Sequence, residues 1–247
     1  MRRNWEKKTR KKRKKRVKTK RKSKEEKLEE ARMLLPASIS EIQVQKKNNT
    51  RFSIFVKSQF LIGVSESTLT KLDLKKGVEI TPFLFEKIVE AEDQWAAREY
   101  LFRILSRRDH SRKELKDKAY KKGYSGRFLE SILDKFEQKE YIDDRKFALK
   151  FTADKFEFNN WGPYKIRNHL FKKGIQKNLA EEAIKKVFES EAIKESMLEL
   201  IKKKKKRYQR EPEEKRKKKV FDFLMRKGYN SDDIFKHMDT FLAIIKE

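Results

Sequence analysis

Three short segments of this chain repeat one pattern. ELKDKAYKKGY (residues 114–124), KIRNHLFKKGI (165–175) and KVFDFLMRKGY (219–229) each close on two cations, a glycine and an apolar residue. Their glycines, Gly123, Gly174 and Gly228, stand 51 and 54 residues apart. A recurrence at that interval is the signature of a tandem structural repeat, and it restricts the fold more than any other feature of the sequence. Within each copy Leu115 and Ala119, Ile166 and Leu170, or Val220 and Leu224 lie four residues apart, on one face of a helix. The cations fall in the last turn, where they complement the carbonyl end. The glycine takes the left-handed position that ends the helix.

Each segment is flanked by two further helical patterns. Tyr100, Leu101, Ile104 and Leu105 precede the first copy, Phe147, Ala148 and Phe151 the second, and Met197, Leu198 and Ile201 the third. Phe128, Ile132, Leu133 and Phe136 follow the first, Leu179, Ala183, Ile184 and Val187 the second, and Ile234 and Met238 the third. The expected fold is therefore mainly α: three tandem three-helix repeats stacked into an elongated curved array.

Ahead of the repeats the periodicity changes to two. Ile42 and Val44, then Phe52, Ile54 and Val56, then Phe60, Ile62 and Val64 alternate with polar residues, with turn signals at 46–50 and 57–59. This predicts a small β-meander, to which Val78 and Ile80 add a short strand. Thr81 and Pro82 read as the start of a long helix reaching about Leu105, a rigid link to the repeats. Ser23 with Glu26 and Ser111 with Glu114 have capping-box spacing. The predicted domains are a basic tail and short helix (1–37), a β-rich subdomain (38–81), the linker helix with repeat one (82–142), repeat two (143–192) and repeat three (193–247).

The charge bounds the partners. The 247 residues carry a formal net charge of +28. Residues 1–24 alone hold sixteen Lys and Arg against Glu6, and the rest of the chain stays basic without them. Such a tail repels itself and is expected to be disordered until an anion binds, with Trp5 available to stack on a base. A densely negative partner follows, nucleic acid first. There are no cysteines, no apolar run long enough to span a bilayer and no apolar core of a secretory signal at the N-terminus. A cytoplasmic protein is expected. A membrane-surface role for the tail is disfavoured, because it lacks apolar partners for the lysines.

Catalytic patterns are missing. His110, His169 and His237 are scattered one per repeat, outside any metal-ligand spacing, and no P-loop or G-x-S-x-G is present. Asp143 and Asp144 read as a helix cap rather than a metal pair. Gly123 to Gly126 match a G-x-x-G loop but lack flanking strands, so they read as a helix stop. No catalytic residue, cofactor or metal is expected, and the chain reads as a binding protein.

The candidate binding residues are cations at matching places in the first two repeats. Arg107, Arg108, Arg112 and Lys113 flank the turn before the second helix of repeat one, and Lys121 and Lys122 end it; Lys165, Arg167, Lys172 and Lys173 do the same in repeat two. Cations recurring at equivalent positions form a stripe along a stacked array. The plain alternative is a solvated helix face, with the C-terminal lysines serving the helix dipole. The run at 202–207 in repeat three is the next candidate.

In combination, SRRDHSRKEL (106–115), DDRKFA (143–148) and GPYKIRNHLFKKGI (162–175) resemble the bacterial RecX regulatory proteins. The resemblance covers about residues 98–240, and the β-meander resembles an N-terminal extension that some members carry. It implies a regulator of DNA repair, homologous recombination and the SOS response. Such a regulator binds the RecA recombinase filament in its helical groove and inhibits its recombinase, ATPase and co-protease activities. Single- and double-stranded DNA would be auxiliary, electrostatic partners, and a monomer is expected. The competing reading is a general nucleic-acid-binding protein of the architectural or ribosome-associated kind, driven by the tail.

Overall fold

A computed structural model of the chain describes residues 23–46 and 48–247. The expectations for the basic tail and Trp5 lie outside the described residues. Two compact units divide between Glu92 and Asp93.

The first unit opens with α1 (Lys24–Arg32), entered through the full capping box of Ser23 and Glu26. Strands β1 (Ala37–Gln45), β2 (Asn48–Val56) and β3 (Gln59–Ser65) form an antiparallel meander. After α2 (Glu66–Lys71), β4 (Glu79–Ile80) pairs with β1, giving the sheet order β3-β2-β1-β4. Ile39, Ile54, Val56, Val64 and Ile80 pack against Phe85 and Ile88 at the start of α3 (Pro82–Leu105).

One strand departs from the alternation read in the sequence. In β3 the register passes from Phe55 opposite Phe60 to Ile54 opposite Ile62, so Leu61 is an extra, bulged residue. The bulge reverses the parity: Leu61 turns into the core and Phe60 is left 56% exposed. Buried beside this sheet, Glu92 accepts hydrogen bonds from Ser65 N (2.7 Å), Thr68 Oγ1 (2.6 Å) and Arg51 (2.8 Å). A buried carboxylate needs such partners, and here they come from β2, the end of β3 and α2.

The second unit holds the repeats. The C-terminal half of α3, α4 (Arg112–Lys121) and α5 (Arg127–Gln138) enclose Ala97, Leu101, Leu115, Ala119, Leu129 and Leu133. Helices α6 (Asp144–Asn159), α7 (Pro163–Lys172) and α8 (Lys177–Val187) enclose Ala148, Ile166, Leu170, Ala180 and Ile184. Helices α9 (Ser190–Gln209) and α10 (Glu213–Lys227) begin the third repeat. Its last helical pattern is divided at His237 into α11 (Ser231–Lys236) and α12 (Met238–Lys246), so Ile234 and Met238 enter one core from two helices. Each four-residue apolar pair of the repeated segment is fully buried, which contributes about 1.5–3 kcal/mol for each Leu, Ile or Val side chain.

Candidate functional site

The repeats are joined through helix ends. Helix N-termini leave N–H groups without partners and C-termini leave carbonyls without partners. Here the start of the second helix of one repeat meets the end of the second helix of the next. At the first junction Ser111 caps α4 by accepting Glu114 N–H (3.1 Å) and donates its hydroxyl to Lys173 O at the end of α7 (2.6 Å). At the second, Gly162 N–H donates to Lys227 O (2.8 Å) and Tyr164 N–H to Gly228 O (3.0 Å). Opposite ends of two helix dipoles are thereby apposed.

The acids and cations near these ends are part of the joint. Asp143 caps α6 through Lys146 N–H (2.9 Å), as its place in the sequence predicts. Asp144 instead reaches back to accept Arg112 N–H (2.9 Å), and burial holds its carboxyl above the usual range. Glu114 sits between Arg108 (3.2 Å) and Lys173. Burial pushes the Glu114 carboxyl up, but hydrogen bonds from Lys173 and Arg108 outweigh it, and the net shift is downward.

The ten candidate cations divide by their neighbours. Arg112 forks into α5, with Glu130 at 2.9 Å, Asp134 at 2.7 Å and Glu137 at 2.5 Å. Arg167 grips Glu181 on α8 through two nitrogens, at 2.5 and 2.9 Å. Both tie the second helix of a repeat to the third. Lys113 pairs with Asp117 one turn on (2.7 Å), and Lys165 lies over the Trp161 ring (4.5 Å). Arg108 and Lys173 hold Glu114. Arg107, Lys121, Lys122 and Lys172 are exposed and enter no ion pair among the described residues.

The paired cations at the end of each repeated segment have different duties. The first of each pair, Lys121, Lys172 or Arg226, is exposed in all three repeats. The second turns to the preceding repeat: Lys173 to Glu114, and Lys227 Nζ to Asn159 O (2.9 Å). Lys122 occupies the same position in repeat one, with no repeat before it, and stays exposed. Arg226 was missed in the sequence reading, although the 54-residue interval from Lys172 points directly to it.

A crease of about 450 Å³ lies beside the first junction, between α6 and α7. Its walls are aromatic: Phe147 stacks on Phe151 at 6.0 Å, and Trp161 packs tilted against His169 at 4.6 Å. Arg108, Lys150, Lys155 and Lys173 contribute the positive charge, against Asp109 and Asp154. Burial, then the charges of Lys172, Lys165, Lys173 and Lys155, hold the His169 imidazole below its usual range. A smaller crease of about 200 Å³ lies between α9 and α10, lined by Lys204, Arg207, Tyr208, Lys219, Phe223 and Arg226 together with Asp222. Among the described residues no three His, Cys, Asp or Glu side chains are grouped to hold a metal, and no helix is long and apolar enough to cross a membrane.

These features define a tandem three-helix-repeat protein with an N-terminal β-sheet domain and a cationic position recurring along its repeats. Four family models match it in chain order: "Regulatory protein RecX N-terminal domain" over residues 37–81, and the first, second and third three-helix domains of RecX over 97–136, 143–184 and 191–238. Regulatory protein RecX of Bacillus mycoides (strain KBAB4) is 30% identical, covering 79% of this chain and 74% of that protein. The Geobacillus sp. (strain WCH70) protein of the same name is 31% identical over 150 residues, 59% of this chain and 55% of that one. A crystal structure of regulatory protein RecX matches with a TM-score of 0.70 at 29% identity, over 82% of this chain and 99% of that chain. The chain belongs to the RecX family of regulatory proteins.

Proposed function

We propose that this protein binds the RecA recombinase filament and inhibits its recombinase, ATPase and co-protease activities, with DNA as an auxiliary electrostatic ligand. The reading rests on one observation above all: the N-terminal and three three-helix domains of RecX are present together and in order. The recurring exposed cation of each repeat supports it, because a filament on DNA presents regularly spaced negative charge. The protein acts by binding rather than by catalysis, as a monomer, in the cytoplasm.

The experiment is RecA-dependent ATP hydrolysis on single-stranded DNA with and without this protein. Inhibition that rises with its concentration and survives removal of residues 1–35 supports a repeat-driven regulator. Loss of all inhibition with the tail would favour the general nucleic-acid binder, and unchanged hydrolysis in the presence of the full chain would overturn the proposal.

A further inference from the structure

Part of the crease between α6 and α7 serves the joint: Arg108 and Lys173 hold Glu114, and Lys150 pairs with Asp109 across the junction at 2.8 Å. The rest of this junction is made of helix-end hydrogen bonds and ion pairs, which need no open aromatic faces. Here Phe151, Trp161 and His169 are all left partly open. Their rings are not bare: Lys173 Nζ is 5.2 Å from the Phe151 centroid, Lys155 Nζ is 5.6 Å from both Phe151 and Trp161, and Lys165 Nζ is 4.5 Å from Trp161. Cations thus rest on flat apolar faces; Glu114 holds Lys173 there, whereas Lys155 and Lys165 enter no ion pair among the described residues. When a phosphate arrives at the rim, Lys155 and Lys165 can follow it and free the faces they cover. A nucleobase can then take their place, since aromatic faces accept any base by stacking.

We propose that this crease is a nucleotide subsite for single-stranded nucleic acid, taking one unpaired base against Phe151, Trp161 and His169 and its flanking phosphates on Lys155 and Lys165. This rests on the nucleic-acid part of the functional reading and deepens it, because charge alone would bind the backbone and ignore the bases. The volume, about 450 Å³, is in the range of small-molecule sites. The second crease argues for a linear polymer rather than an isolated ligand. It lies between the corresponding helices of repeat three, and Phe223 falls 54 residues after His169, the interval that separates Gly228 from Gly174. Lys204 lies over the Phe223 ring at 4.9 Å, repeating the cation-on-ring arrangement. An acidic protein segment would use the cations but would gain little from the ring faces.

The test compares a labelled oligothymidylate with an abasic strand of equal length and charge, binding to the full chain in the absence of RecA. The wild type is expected to prefer the base-bearing strand by about tenfold or more, the scale of one base–aromatic stack. Phe151→Ala and His169→Ala, each checked for fold by circular dichroism, are expected to bring the two strands close to equal affinity while leaving the abasic affinity unchanged. The His169 side chain makes no hydrogen bond among the described residues, so its variant remains informative if Phe151→Ala does not fold. Equal affinities in the wild type, or a preference that persists in both variants, would overturn the subsite. Oligoglutamate binding that needs Phe151 and His169 while the bases go unread would replace it with an acidic protein segment. RecA inhibition is read separately, so failure here leaves that proposal standing, and the converse holds.

Discussion

The glycines that reveal the repeats do not all carry the same burden. Gly123, Gly174 and Gly228 have φ of +93°, +80° and +92°, so a side chain at any of them is strained. At Gly123 an added Cβ would meet nothing within 4 Å, and Gly123→Ala should cost about 1–2 kcal/mol, the backbone term alone. At Gly174 a Cβ would lie 2.5 Å from Lys113 Cβ, and at Gly228 2.5 Å from Lys165 N, so the junction itself must open. Alanine there should cost about 1–3 kcal/mol more than at Gly123. Gly162 separates the two causes: its φ of −76° suits any residue, yet a Cβ would lie 2.5 Å from Tyr229 N. Gly162→Ala is expected to destabilise by about 1–3 kcal/mol through packing alone. Urea denaturation of the four variants checks the order, and equal losses at Gly123 and Gly174 would refute it. Glu114 makes a second test at this scale. Its folded carboxyl lies below the unfolded value, so its stabilisation is full above the ordinary glutamate range and is lost as pH falls through the depressed folded value. Asp144 has the opposite sign: burial raises it, so its charge opposes folding at neutral pH and protonation relieves that cost. Glu114→Gln should therefore be less stable at neutral pH but lose less on acidification than the parent, and unfolding curves between about pH 7 and pH 3 would show parallel losses if Glu114 were not coupled to folding.

At the scale of elements, helices were legible because their signals are local. Apolar spacing, the Ser23 and Ser111 caps and the terminal glycines all act within one or two turns, and they placed α1, α3, α4 and α7 close to where they lie. The β3 bulge was not legible, since its parity depends on pairing with β2 rather than on the strand's own alternation. The duties of the charged residues were also hidden: no local pattern shows that Asp144 crosses a junction while its neighbour Asp143 caps, or that Arg112 points into α5. Arg112→Ala should accordingly act on the fold first. It removes a three-carboxylate fork on a guanidinium about one quarter exposed, and screening by solvent holds the expected loss to about 1–2 kcal/mol. A thermal melt equal to wild type, with weakened RecA or DNA binding, would return Arg112 to the binding surface.

At the scale of the whole molecule, the question is which cations face a partner. The sequence suggests reversing Arg107, Arg108, Lys172 and Lys173 together, but Arg108 and Lys173 hold Glu114 at the first junction, so two acids there would break the joint and confound any loss of binding. The set that leaves the joints alone is Lys121, Lys172 and Arg226. They occupy one position in the three repeats, each is exposed, and none enters an ion pair among the described residues. Changing all three to Glu should leave the circular dichroism spectrum and melting temperature near wild type while weakening both DNA binding and RecA inhibition. If each meets one phosphate, the slope of log affinity against log salt on duplex DNA should become shallower by about 0.9 per residue, or nearly 3 in all. A triple variant that keeps the wild-type slope and full inhibition would show that this line faces solvent only and, since Arg226 also lines the smaller crease, would leave the crease of repeat two as the place where the positive charge meets its partner.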